Sequence, residues 1–440
     1  MSQATGARPL LPQLLTLSAP SPVALEEATE NLIGDLAHCP AADLARRARA
    51  LQAEGPAHRF RRVVVASEPG EAAHYLRERD PRRTFSTRMS PARPVVFLFS
   101  GVGEQYAGMT AGLHRYIPVF ARELDRCLRG LGAEIGTDLH AILFPDADAA
   151  EPRSDLAVFD QSESIQEIHR TIIAQPLMFA VQYAMAAALR SMGIEPAALL
   201  GYSIGEYAAA CVADVFPLDS ALSLVARRAR LVDGLPGGSM LAVMSDVGPL
   251  EPLLGALVSV AALDGPELTI LAGPDEDLTR IAERLDGEGI ACRPLPASHA
   301  FHSTMMEPVV APLRDLIDTF RLKPPAVTML SNVTGTWMRP EDATSPDYWA
   351  SHLRRTVRFA DDTTEVWKLS APVLIELGPG QALTRLALRS PGRPGGDAAL
   401  TVSTIPGRLE SRPGLVVFLN AVGRLWATGA EIKFDQLPRS

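Results

Sequence analysis

Apolar positions along the chain fall into two textures. In the first, short runs with little polar alternation (VVFLF at 95–99, AALLG at 197–201, AVTMLSN at 326–332 and PVLIELG at 372–378) read as buried strands. Between them lie long helical patterns, above all the nearly all-apolar TIIAQPLMFAVQYAMAAALRSMG (171–193) and the amphipathic MMEPVVAPLRDLIDTF (305–320). Strand, turn and helix alternate, which predicts a parallel sheet covered by helices. From about 235 to 300 the texture changes to short strands (GGSMLAVMS, ELTILAG, GIACRPLPA) and two helices (VGPLEPLLGAL, DEDLTRIAERLDG). That order predicts a small βαββαβ-like domain inserted in the larger one.

The flanks have their own pattern. Residues 1–20 are Pro-rich and read as extended. Ser21 then suits an N-cap and Pro22 the first turn of a helix. DLARRARALQAEG is a second helix, RFRRVVVAS a strand and EPGEAAHYLRER a further helix, and the polar residues 80–94 read as a linker. Residues 141–165 are acidic and irregular, and the last ~35 residues predict a strand, the helix GLVVFLNAVGRLWATG and a polar tail. The expected divisions are an α/β unit over 1–94, a large subdomain over 95–234 and 301–405, a small subdomain over 235–300, and a C-terminal segment over 406–440.

Composition narrows the function. A hydrophobic fraction of 47% and a charged fraction of 21% belong to a soluble globular protein. The net charge of −9 argues against a general nucleic-acid binder. Cys39, Cys127, Cys211 and Cys292 are scattered, which fits reduced thiols in a cytoplasmic protein and argues against a structural metal site. The N-terminus lacks a signal-peptide layout, and no apolar stretch is read as a membrane span.

The candidate chemistry sits in ALLGYSIGEYAAACVADV (198–215). A buried strand, Gly-x-Ser-x-Gly and a helix are the context of a nucleophile elbow, which makes Ser203 the candidate nucleophile. The competing reading is a Gly-rich turn whose serine caps a helix. A serine nucleophile needs a base. Of the nine histidines, His38, His58 and His74 lie in the N-terminal unit, while His114, His140 and His169 read as solvated. His352 follows YWAS, and His299 and His302 share ASHAFHSTMMEP. Spacing alone does not choose between the last two.

The ordered stretches VVFLFSGVGEQYAGM, QPLMFAVQYAMAAALRSMGIEP, GYSIGEYAAA, LVARRARLV, SHAFHSTMMEP, SNVTGTW, YWASHLRRTVRF and ELGPGQALTRL resemble the acyltransferase domain of modular polyketide synthases, a relative of malonyl-CoA:acyl-carrier-protein transacylase. The resemblance runs from about 95 to 405. Residues 8–90 resemble the linker between ketosynthase and acyltransferase, and the C-terminus resembles the post-acyltransferase segment. It implies an α/β-hydrolase-like large subdomain with a ferredoxin-like insertion. It further implies a ping-pong transfer from acyl-CoA, a substrate, to the phosphopantetheine thiol of an acyl carrier protein, with no permanently bound cofactor and no metal. Ser203 would be the nucleophile and His302 its base, oriented by a backbone carbonyl. The backbone N–H groups of Val102 and Ile204 would form the oxyanion hole. Arg228, 25 positions after Ser203, matches an arginine that clamps the free carboxylate of malonyl-type groups, with Gln175 beside it. Without the resemblance, Arg228 reads as one of several solvated helix arginines.

The same resemblance ties the stretch from His299 through Phe301 to His302 to malonyl rather than methylmalonyl transfer. Tyr202 stands where the family has His, and Val102 where it has Gln, so the pair is expected to reshape the acyl pocket. Malonyl-CoA, an acyl carrier protein and, through the N-terminal unit, a ketosynthase are the expected partners. Other readings are a transferase for a substituted malonyl or starter group, a serine thioesterase or hydrolase, and a degenerate docking domain. The flanking linkers leave open a discrete enzyme acting in trans or a piece of a longer synthase.

Overall fold

The computed structural model describes residues 10–54, 57–89, 93–145, 167–396 and 399–438. Most of the expected irregular segment 141–165 lies outside the described residues. The chain divides into two compact units, residues 1–93, 191–194 and 412–440, and residues 94–190 and 195–411.

The first unit is built on an antiparallel sheet of β1 (Gln13–Ala19), β2 (Phe60–Ala66) and β3 (Thr84–Arg88), in that order. Leu15, Leu17, Val64 and Ala66 pack on helices Pro22–Ala37, Leu44–Ala53 and Pro69–Glu78. The first helix is capped as expected, Ser21 Oγ accepting from the Ala24 N–H at 3.1 Å. Residues 13–19 are extended as expected, here as a paired strand. The stretch read as a linker contains β3, which corrects that expectation. Helix Gly414–Thr428 belongs to this unit and packs on the opposite face of the sheet, so residues 412–440 do not stand as a segment of their own. Gly423 lets the helix approach the sheet closely: a Cβ on it would come within 2.7 Å of Leu14 Cδ1, so that side chain would have to shift.

In the second unit, β4 (Val95–Phe99) and β5 (Ala198–Gly201) are followed by the small-sheet strands β6 (Ser239–Val243), β7 (Ser259–Gly265), β8 (Leu268–Gly273) and β9 (Cys292–Leu295). Next come the short hairpin β10 (Leu330–Ser331) and β11 (Thr336–Trp337), then β12 (Val373–Pro379) and β13 (Leu400–Ile405). The large sheet is parallel, in the order β13-β12-β4-β5. Every residue of β4 and β12 is buried, as their unbroken apolar runs require. Glu376 interrupts β12 and is fully buried because its carboxylate accepts the N–H groups of Leu383 and Thr384 at 3.1 and 3.0 Å, closing the start of helix Ala382–Arg389.

The small sheet is antiparallel with order β7-β8-β6-β9, the ferredoxin-like arrangement. The one of its four strands not picked out in the sequence, β7, is SVAALDG, whose small residues hid it. VGPLEPLLGAL forms only a 3₁₀ turn over Gly248–Leu253, because Pro249 and Pro252 remove helix donors. Of the expected strand AVTMLSN, β10 is the part paired as a strand, with one further bridge from Met329 to Leu199. Helix Thr171–Ser191 is long and apolar enough to cross a membrane, contrary to the sequence expectation, but 83% of its most apolar window is buried inside the protein.

Candidate active site

Ser203 lies just beyond the carboxyl end of β5, at the start of helix Ile204–Val212. Its backbone is held at φ 55°, ψ −120°, a region that costs a non-glycine residue strain. The flanking glycines are dictated by space. A Cβ on Gly201 would lie 2.2 Å from Glu206 Cα, and one on Gly205 would lie 2.1 Å from the Phe99 carbonyl oxygen. The strand-to-helix reversal is therefore tight enough to exclude any side chain at either position.

The structure brings His302, not His299, to the serine. Ser203 Oγ lies 2.7 Å from His302 Nε2. His302 Nδ1 is 2.8 Å from the Arg355 carbonyl oxygen. A carbonyl only accepts, so the ring proton sits on Nδ1 and Nε2 is free to accept from the hydroxyl. Burial, together with the neighbouring His352 and Arg228, pushes the imidazole down to about 3, against the raising effect of the Arg355 and His352 backbone contacts. His302 is thus a neutral base at physiological pH. No acid is needed to complete a triad, since a backbone oxygen fixes the tautomer.

His299 is placed elsewhere. Its Nδ1 meets Ser298 Oγ at 2.9 Å and Thr171 Oγ1 at 3.3 Å, and the residue does not line the cavity, which corrects its expected contact with substrate. Phe301 does line it.

That cavity, of about 500 Å³, contains Ser203, His302, Gln175, Arg228, Tyr202, Val102 and Ile204. Among the described residues the backbone N–H groups of Val102 and Ile204 donate to no other group, as an oxyanion hole requires. Arg228 is only 1% exposed, so it is not a solvated helix arginine. Its Nη1 donates to Gln175 Oε1, its guanidinium lies 5.3 Å from the Tyr207 ring centre, and burial lowers its pKa. Its Nε and Nη2 and the Gln175 amide nitrogen have no hydrogen-bond partner among the described residues. A buried cation without a carboxylate is a costly arrangement unless an anion arrives.

Sequence reasoning missed the support beneath the elbow. Asn332 Oδ1 accepts the Ser203 N–H at 2.8 Å, and its Nδ2 donates to the Gly201 carbonyl at 2.7 Å and to Asp362 at 3.0 Å. The Asn332 N–H in turn donates to Glu206 at 2.7 Å, and Glu206 also accepts from Tyr348 and pairs with His352. All of these side chains are buried. Burial, with the Glu206 charge close by, pushes the Asp362 carboxyl well above its usual range. The only signal in the sequence was SNVTGTW, quoted for its pattern and not for a contact.

Tyr202 also has an unforeseen partner. Its hydroxyl donates to Asp264 Oδ2 at 3.2 Å, and its ring meets Phe359 edge-on. Among the described residues, atoms able to ligate a metal come together at His114, Asp125 and His140, within 4.8 Å of one another, and none of these residues lines the cavity. His114 is thus not a freely solvated side chain, its Nε2 lying 2.7 Å from Asp125 Oδ1.

Residues 96–431 match the family model described as "Acyl transferase domain". A phenolphthiocerol/phthiocerol polyketide synthase subunit of Mycobacterium tuberculosis is 33% identical over 453 aligned residues, covering 98% of this chain and 28% of that protein. The polyketide synthase GfsB of Streptomyces halstedii is 36% identical over 298 residues, covering 66% of this chain and 5% of that protein. The chain therefore spans well under a third of these relatives. Among solved structures, the acyl transferase domain of ZmaA superposes with a TM-score of 0.86 at 31% identity, covering 98% of this chain and 96% of that one. The acyl transferase domain of SpnD, in complex with 2-(pent-4-yn-1-yl)malonyl, gives 0.84 at 34% identity over 97% of this chain and 98% of that one. The chain belongs to the acyl transferase domain family, in the group formed by the acyltransferase domains of modular polyketide synthases.

Proposed function

We propose that the chain moves a malonyl-type acyl group from coenzyme A to the phosphopantetheine thiol of an acyl carrier protein by a ping-pong Ser–His mechanism. The observation that carries this reading is the buried Arg228, with two guanidinium nitrogens unpartnered among the described residues, in the same cavity as the Ser203–His302 pair. A hydrolase of simple esters has no use for that cation, whereas the free carboxylate of a malonyl group would pair with it through two parallel hydrogen bonds. The 2-substituted malonyl group bound by the SpnD domain supports the same substrate class.

Ser203 Oγ attacks the thioester carbonyl while His302 Nε2 takes its proton. The Ile204 and Val102 N–H groups meet the oxyanion, and collapse expels the CoA thiolate, which receives the proton from His302. The acyl group rests as an ester on Ser203 until the carrier thiol attacks, again deprotonated by His302. Because Arg228 is one of the charges holding the His302 pKa down, a bound carboxylate offsets that repulsion and makes His302 a stronger base once substrate is in place. The N-terminal unit is assigned to contact with a ketosynthase.

The test is a two-acceptor assay. With malonyl-CoA and a phosphopantetheinylated carrier protein, acyl groups are expected on the carrier, with slow release to water in its absence. Hydrolysis equally fast with and without carrier would contradict the transferase reading.

A further inference from the structure

Asp264 lies near the end of β7 in the small subdomain and lines the same cavity as Ser203. It is 8% exposed, and its neighbours along that wall include the apolar Met240, Ala262 and Ile270. Tyr202, the residue preceding the nucleophile, donates its hydroxyl to Oδ2, while Oδ1 has no hydrogen-bond partner among the described residues. Among the described residues neither oxygen is paired with a base. A carboxyl group so placed is costly unless its remaining acceptor is satisfied. Burial pushes it up to about 7, against the lowering effect of the Tyr202 hydroxyl. Protonated or ionised, the group keeps acceptor capacity toward a donor brought by the ligand.

Arg228 and Gln175 donate to the distal carboxylate under the function proposed above, and the oxyanion hole donates to the thioester oxygen. What remains of the acyl group is the carbon between its two carbonyls and whatever that carbon bears. We propose that Asp264, positioned by Tyr202, is a specificity residue that selects a malonyl-type acyl group whose central carbon carries a hydrogen-bond donor, a hydroxyl or amino substituent. This inference rests on the malonyl-transfer reading and narrows it. A methyl substituent of nearly the same size leaves the Asp264 acceptor unpaired, and a site that hydrogen-bonds a substrate hydroxyl rejects analogues lacking it far more strongly than size alone does.

The experiment measures initial rates of Ser203 acylation by intact-protein mass spectrometry. The probes are synthetic pantetheine thioesters of malonate, 2-methylmalonate and 2-hydroxymalonate. The 2-hydroxymalonyl thioester is expected to load at least about tenfold faster than the 2-methylmalonyl thioester, a comparison that holds size nearly constant. In Asp264→Ala that ratio is expected to fall to near one, and in Tyr202→Phe, which keeps the carboxyl group, it stays above one. Equal rates for the two substituted thioesters in the unaltered protein overturn the inference while leaving malonyl transfer intact, and so does a preference that Asp264→Ala does not change. Absence of loading by every thioester overturns both this inference and the function on which it rests. The unaltered protein alone decides the first outcome, so a misfolded variant does not shield the proposal.

Discussion

Replacing Arg228 by Met separates the two reasons a buried arginine can exist. The side chain is 1% exposed and, among the described residues, shares one side-chain hydrogen bond, to Gln175, leaving Nε and Nη2 unpartnered. If its purpose were structural, removal would destabilise the fold. A ligand-binding purpose predicts the opposite: an apolar side chain of similar length ends the desolvation of an unpaired charge, so stability is expected to be unchanged or higher by about 1–3 kcal/mol. Activity moves the other way. Two charge-assisted hydrogen bonds to a carboxylate, at roughly 1.5–3 kcal/mol each, amount to about 3–6 kcal/mol, or roughly 10²- to 10⁴-fold in kcat/KM. The assay pairs thermal or urea unfolding with single-turnover acylation by malonyl-CoA and acetyl-CoA. Malonyl loading is expected to collapse, while acetyl loading is retained or rises. A variant that loads malonyl within a few-fold of the original, or that loses both acyl groups alike with a lowered Tm, refutes the carboxylate clamp.

Asn332→Ala leaves the Ser203 N–H, the Gly201 carbonyl and the Asp362 carboxyl without their shared partner. Unfolding free energy is expected to drop by about 2–5 kcal/mol, and the acylation rate constant should fall more than the affinity for malonyl-CoA; an unchanged Tm and rate contradict this bracing role. Gly205→Ala places a Cβ 2.1 Å from the Phe99 carbonyl oxygen, so soluble folded protein is expected to be lost, as read by yield and circular dichroism, and a normally folded variant would show the turn to be looser than described. Because His302 is held down to about 3, kcat/KM for acylation is expected to change less than about threefold between pH ~7.5 and ~5.5, where an unshifted imidazole loses about tenfold. A limb with an apparent pKa near ~6.5 contradicts this. The same shift acts on stability: below 6.5 the unfolded chain binds a proton that the native His302 refuses until about 3, so this group's contribution falls as pH falls through that window.

Elements with strong periodicity were legible, because burial on two faces writes itself as an unbroken apolar run in β4 and β5. Ser203 could be found from strand, turn and helix together, and its glycines follow from steric contact with nearby backbone. The choice of His302 over His299 could not be read from spacing and came only from the resemblance, since it depends on a carbonyl 53 residues away at Arg355. Glu206 reads in the sequence as an ordinary helix acid and is fully buried, its partners Asn332, Tyr348 and His352 being 126 to 146 positions distant. Asp264 escaped notice for a different reason: the small residues of β7 carry no alternation, so neither the strand nor the wall it forms was visible. The C-terminal helix Gly414–Thr428 was recognised as a helix, but no local pattern says which sheet it covers.

The central claim is that Ser203 becomes an ester of a carboxylated acyl group held opposite Arg228. Intact-protein mass spectrometry after brief exposure to malonyl-CoA tests it most directly. A single malonyl adduct, mapped to the peptide carrying Ser203, absent in Ser203→Ala and discharged by the thiol of a carrier protein, is the predicted result. Labelling by acetyl-CoA in preference to malonyl-CoA, or a malonyl adduct that persists in Ser203→Ala, would contradict it.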